Sequence, residues 1–110
     1  MAYDEAIADM MRADLGLRSG LSEKRMFGGI CFLLDGNMVC AVHPRGAMYR
    51  VGKEAVAEAL ELGAGRMHMG ERVMGGWADL SADHLDNDDL RAALTGMALA
   101  FVATLPAKGD

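Results

Sequence analysis

Residues 26–42, "MFGGICFLLDGNMVCAV", decide the fold. Two apolar runs flank Asp35-Gly36, and Asp-Gly at such a position is a strong hairpin signal, because a type I′ turn needs positive φ at both central residues. With Asp35 and Gly36 as the two-residue loop, the predicted register places Leu34 opposite Asn37, Leu33 opposite Met38, Phe32 opposite Val39 and Cys31 opposite Cys40. Ile30, Phe32, Leu34, Val39 and Ala41 then share one face; Cys31, Leu33, Met38, Cys40 and Val42 share the other. Both faces are apolar, so both need a cover. Helices are expected over one, and more helix or a second subunit over the other. The run Met26-Phe27-Gly28-Gly29 at its start lacks the further glycines, the Lys-Ser or Lys-Thr and the following helix of a phosphate-binding loop. It reads instead as a close-packed lead into the hairpin, where a neighbouring element passes near the backbone.

Before the hairpin, "YDEAIADMMRADLGL" reads as a helix with Tyr3, Ile7, Met10, Met11 and Leu15 on one stripe. Asp4 and Glu5 suit its positive end, and Gly16 can close it. Residues 19–25 read as a polar connection. After the hairpin, "HPRG" at 43–46 is a turn and "AMYRV" a third strand, broken at Gly52. "KEAVAEALEL" is a short helix with Val56 and Leu60 facing inward. Residues 67–69 read as extended, 70–72 as a turn, and 73–80 as a strand in which Gly75 and Gly76 mark a bulge or a close backbone contact. The last helix starts after Asp86, its expected cap, with Leu85 stapled to Leu90. Its apolar stripe is Leu90, Leu94, Met97, Phe101 and Leu105, and Pro106 ends it. The expectation is one α+β domain spanning residues 1–110: an antiparallel β-sheet with its central hairpin at 26–42, flanked by N- and C-terminal helices and one short middle helix.

Composition narrows the role. At 110 residues, 52% hydrophobic and 25% charged, the chain suits a compact core. Its net charge of −5 disfavours direct nucleic-acid binding. No apolar run reaches membrane-spanning length, and the acidic start lacks the order of a signal peptide. A cytoplasmic location without membrane attachment is expected. Two cysteines are too few for a disulfide framework.

Candidate chemistry is sparse. The predicted register makes Cys31 and Cys40 a candidate redox pair, against the plainer reading of two small buried hydrophobes. His43, His68 and His84 lack metal-site spacing. "RMHM" has soft ligands, but the ten methionines are spread along the chain as core filler would be. "DHLDNDD" lacks the spacing of a calcium loop, and helix capping accounts for it. No nucleophile elbow occurs. No metal, cofactor or catalytic residue is expected. Lys24, Arg25, Arg50, Lys53, Arg66 and Arg72 are either solvated or an anion patch; Arg50, Lys53 and Arg72, with Trp77, form the candidate ligand or partner surface. Trp77, the single tryptophan, is either core or an interface anchor.

The order "KRMFGGICFLLDGNMVCAV", "MYRVG", "GGWADL" and an acidic start to a Leu- and Ala-rich helix resembles the TfoX N-terminal domain-like family. Met26, Phe27, Gly28, Gly29, Gly36, Tyr49, Arg50, Trp77 and Phe101 match its pattern, and the likeness runs from about residue 3 to residue 105. The resemblance implies an α+β fold. It also implies a link to the TfoX (Sxy) regulators of natural competence in bacteria, co-regulators of transcription that carry a second, C-terminal domain. This chain is expected to be a single-domain member, and the resemblance supplies no catalytic residues. The leading expectation is a non-catalytic regulatory or adaptor module, a homodimer acting through a protein partner. The alternatives are a small-ligand or anion-binding domain or weak enzyme using the basic patch, and a thiol sensor.

Overall fold

The computed structural model describes residues 4–26, 28–69 and 71–107. In chain order the elements are α1 (Glu5–Leu15), β1 (Leu21–Met26), β2 (Gly29–Leu34), β3 (Asn37–His43), β4 (Gly46–Arg50), α2 (Val56–Leu62), β5 (Gly65–Met69), β6 (Arg72–Ser81), a 3-10 turn (Ala82–His84) and α3 (Asp88–Val102). The six strands form one antiparallel sheet in the order β1-β2-β3-β4-β6-β5. Strands β1 to β4 meander, and the β5–β6 hairpin lays β6 beside β4. The expected α+β class is the observed one.

All three helices contribute to one core with one face of the sheet. Ile7, Met11 and Leu15 of α1, Val56 and Ala59 of α2, and Leu90, Leu94, Ala98 and Val102 of α3 pack with Phe32, Val39, Tyr49 and Leu80. The periodic apolar spacing of each helix is what orients it, since burial of such side chains is the main favourable term in folding. On the opposite face lies a smaller methionine-rich cluster. Cys31, Ala41, Met48 and Met67 are buried there, ringed by half-buried Met26, Leu33, Met38, Met74 and Trp77. Long methionine side chains and Trp77 of the chain itself pack over those four residues.

Asp35 and Gly36 have φ of 52° and 84°, as the I′ turn requires. The predicted register holds for Leu34–Asn37 and Leu33–Met38 and then slips. Phe32 pairs with Cys40, Cys31 with Ala41 and Ile30 with Val42, so Val39 is an extra residue in β3. The bulge turns Cys40 and Val42 to the helix side and Ala41 to the methionine side, reversing the expected faces beyond it. Cys31 therefore does not face Cys40. Gly29 sits where a Cβ would collide with the Val42 carbonyl, which is the close backbone approach the Gly pair suggested. Phe27 of that motif lies outside the described residues, as do Tyr3 of the N-terminal stripe and Gly70 of the turn.

Three further expectations are corrected. The supposed polar connection at 19–25 contains β1, an edge strand whose residues Ser22 to Arg25 are exposed, so it has no apolar alternation to read. Its charges suit an edge that must not pair with another chain. The cap of α3 is Asn87, whose side chain accepts from the Leu90 amide at 3.1 Å; Asp86 is not the cap. The buried face of α3 is rotated from the expected stripe and includes Arg91 and Thr95, while Met97 and Phe101 lie half-buried on its flank and Leu105 lies beyond its end. Arg91 links helices: its guanidinium donates to Asp14 of α1 at 2.7 and 3.2 Å, to the Leu85 carbonyl at 2.7 Å and to Asp88 at 2.8 Å. Arg12 similarly holds α1 to β1 through two bonds to Glu23, at 2.8 and 3.0 Å. This contact keeps the Glu23 carboxyl below its usual range. Among the described residues, no helix is long and apolar enough to cross a membrane.

Candidate binding cleft

Strand β4 ends at Arg50, and the chain bends through Val51 and Gly52 towards α2. Gly52 has φ of +90°, and its amide donates to the Gly76 carbonyl at 2.9 Å. Gly76, at φ +85°, belongs to a bulge of β6. There Met74, Gly75, Gly76 and Trp77 stand against the single residue Met67 of β5, between the pairs Val73–His68 and Ala78–Arg66. A Cβ on Gly76 would lie 3.4 Å from the Lys53 amide nitrogen. The sequence reading of Gly75 and Gly76 as a bulge with close backbone contact is thus met in both halves. The bulge brings the Gly75–Trp77 segment alongside the Arg50–Lys53 bend.

α3 closes the other side. The Phe101 ring lies against Gly52, where a Cβ would come within 2.5 Å of Cδ1. The Arg50 guanidinium stacks over that ring, 5.6 Å from its centroid, and its Nη1 makes a long contact of 3.4 Å with the Met38 carbonyl. Among the described residues its other N–H groups have no partner. These parts enclose an open cleft of about 780 Å³, with Arg50 and Lys53 as its cations, Glu54 as its one carboxylate, and Trp77, Met97 and Phe101 among its apolar walls. The Thr104 hydroxyl at its margin donates to the Phe101 carbonyl at 2.6 Å and so is engaged. A smaller hollow of about 130 Å³ adjoins it across Lys53, the glycine pair and Trp77, and includes Arg66.

Of the basic residues singled out in the sequence, Arg50 and Lys53 converge here with Trp77, and Arg66 stands next door. Arg72 does not join them: it lies exposed at the start of β6, paired with Met69, and lines neither hollow. Lys24 and Arg25 sit on β1, at the opposite edge of the sheet. Sequence reasoning missed Gly52, Met97 and Thr104 as lining residues. Only the break it assigned to Gly52 hinted at a role.

The remaining candidates fall elsewhere. Cys31 and Cys40 are buried free thiols in different packing clusters, and burial pushes both above the usual thiol pKa. That suppresses thiolate and reactivity alike. His43 Nδ1 accepts from the Arg45 amide at 3.1 Å, which leaves its Nε2–H to donate to Asp79 at 2.8 Å. Both ring nitrogens are engaged in joining the β3–β4 turn to β6. His84 lies 3.2 Å from Ser81 on the surface, and His68 is exposed on β5. Among the described residues, no three of His, Cys, Asp and Glu converge as metal ligands. Met26 joins the methionine face, while Gly28, Gly29, Asp35 and Gly36 shape the hairpin ends.

No curated protein and no solved structure matches the chain. The family model for the TfoX N-terminal domain matches residues 14–102, a span that includes Arg50, Gly52, Trp77 and Phe101. The chain belongs to the TfoX N-terminal domain family.

Proposed function

We propose that this domain is a non-catalytic regulatory module that works by binding, and that the Arg50–Trp77 cleft is its contact site. The observation that carries this reading is the construction of the cleft. An arginine fixed on an aromatic ring faces an apolar hollow, beside two glycines whose backbones are in close contact. Convergent polar groups in an apolar concavity are what recognition requires. Catalysis would need an activated nucleophile or a paired acid and base; the lining's one hydroxyl is engaged, and Lys53 and Glu54 are exposed and unpaired among the described residues. Family membership adds the link to regulation of transcription, as analogy. The acidic chain favours reaching nucleic acid through a protein partner rather than directly.

The test is affinity capture from a lysate of the native host, treated with nuclease, with the wild-type domain and Arg50→Gln as parallel baits. The reading expects a stoichiometric component that survives nuclease and is lost with the variant. Equal recovery by both baits contradicts the cleft as contact site.

A further inference from the structure

We propose that the cleft takes a small organic monoanion, a carboxylate on an aromatic or branched apolar body. This deepens the reading of the cleft as contact site and rests on it. Its volume of about 780 Å³ is that of a small-molecule pocket. Charge then selects the ligand. Arg50 and Lys53 face one carboxylate, Glu54, which leaves a surplus of one positive charge in a chain of net charge −5. That surplus matches one negative charge. A polyphosphate brings several negative charges to a surplus of one, and the next cation, Arg66, belongs to the neighbouring hollow.

Arg50 is prepared for the role. Phe101 beneath its plane and the Met38 carbonyl hold the guanidinium before any ligand arrives. Its other N–H groups, half-buried and without partners among the described residues, are the donors a carboxylate fits. Fixing the donor in advance lowers the ordering cost of binding. The apolar body of the ligand then rests among Trp77, Met97 and Phe101.

Trp77 is the only tryptophan, so its fluorescence reports occupancy directly. The experiment titrates the intact chain with 4-phenylbutyrate and, separately, with its neutral amide. The expected result is saturable binding of the acid, with the amide about tenfold weaker or more. In Arg50→Gln, checked for folding by urea denaturation, the preference for the acid should shrink to the part that Lys53 supplies. Lys53→Gln, at an exposed position, should weaken the acid and leave the amide unchanged. Equal binding of acid and amide by the wild type overturns the proposal. So does absence of binding up to about 10 mM, or displacement of the acid by equimolar inorganic phosphate. If none of these ligands binds, yet capture of a lysate component still depends on Arg50, the ligand class falls and the contact site stands.

Discussion

Gly52 and Phe101 fit together as a notch and its filling: the ring of α3 occupies the space a side chain on residue 52 would need. At φ +90° the notch also suits glycine alone. Gly52→Ala is expected to destabilise the domain by about 2–4 kcal/mol in urea denaturation. Adding Phe101→Leu should return the steric part and leave the backbone part, so the pair will not be additive. A single-variant loss below about 0.5 kcal/mol would show that the bend adapts freely.

Tyr49 is fully buried, and its hydroxyl lies near Thr95 without forming a well-aligned hydrogen bond among the described residues. A stranded hydroxyl carries a desolvation cost without return. Tyr49→Phe should therefore be neutral or stabilising, by up to about 2 kcal/mol. A loss above about 1 kcal/mol would mean that Thr95 or an internal water satisfies the group.

Two arginine ties should differ in weight. The side chains of Arg91 and Asp14 are 9% and 16% exposed, against 35% and 39% for Arg12 and Glu23. Arg91→Ala leaves buried acceptors unpaired and should cost about 3–5 kcal/mol. Arg12→Ala should cost about 0–1 kcal/mol, because solvent screens its partners. Equal losses in chemical denaturation would contradict the assignment of Arg91 as the buried link between α1 and α3.

Burial raises the Cys40 thiol and the Tyr49 phenol above their ordinary values of 9.0 and 10.0. The folded chain holds these protons longer than the unfolded chain does. The stability they contribute is complete below pH 9 and is lost as pH rises above it. The urea midpoint should fall above that pH, less steeply in Cys40→Ala and in Tyr49→Phe. Neither cysteine should react with an aromatic disulfide reagent at neutral pH until denaturant is added, and mild oxidation should form no Cys31–Cys40 bond. Rapid native labelling would revive the thiol-sensor reading.

The limits of the sequence are instructive where they fall. The hairpin was legible because Asp35-Gly36 is a local signal, and the helices because apolar spacing is periodic. The extra residue Val39 was not, since strict alternation cannot register a bulge when every neighbour is apolar. β1 escaped because an edge strand exposed through its centre has no alternation to show. Arg50, Lys53 and Trp77 were picked out one by one by residue type. Their convergence depends on the β6 bulge and on the docking of Phe101, about fifty residues downstream of Gly52, and no local pattern encodes that. Arg72 shares only its charge with them, and β6 carries it away from the cleft.

The most direct measurement is a nitrogen-15 correlation spectrum of the labelled domain in extract of its native host, taken separately with the small-molecule and the macromolecular fractions. Whichever fraction holds the ligand, the account predicts that the Gly52 and Gly76 amides and the Trp77 indole N–H shift or broaden together. Changes confined to β1, or changes on the Met48 and Met67 face that leave the Gly52 and Gly76 amides unmoved, would contradict the cleft as the place where this domain does its work.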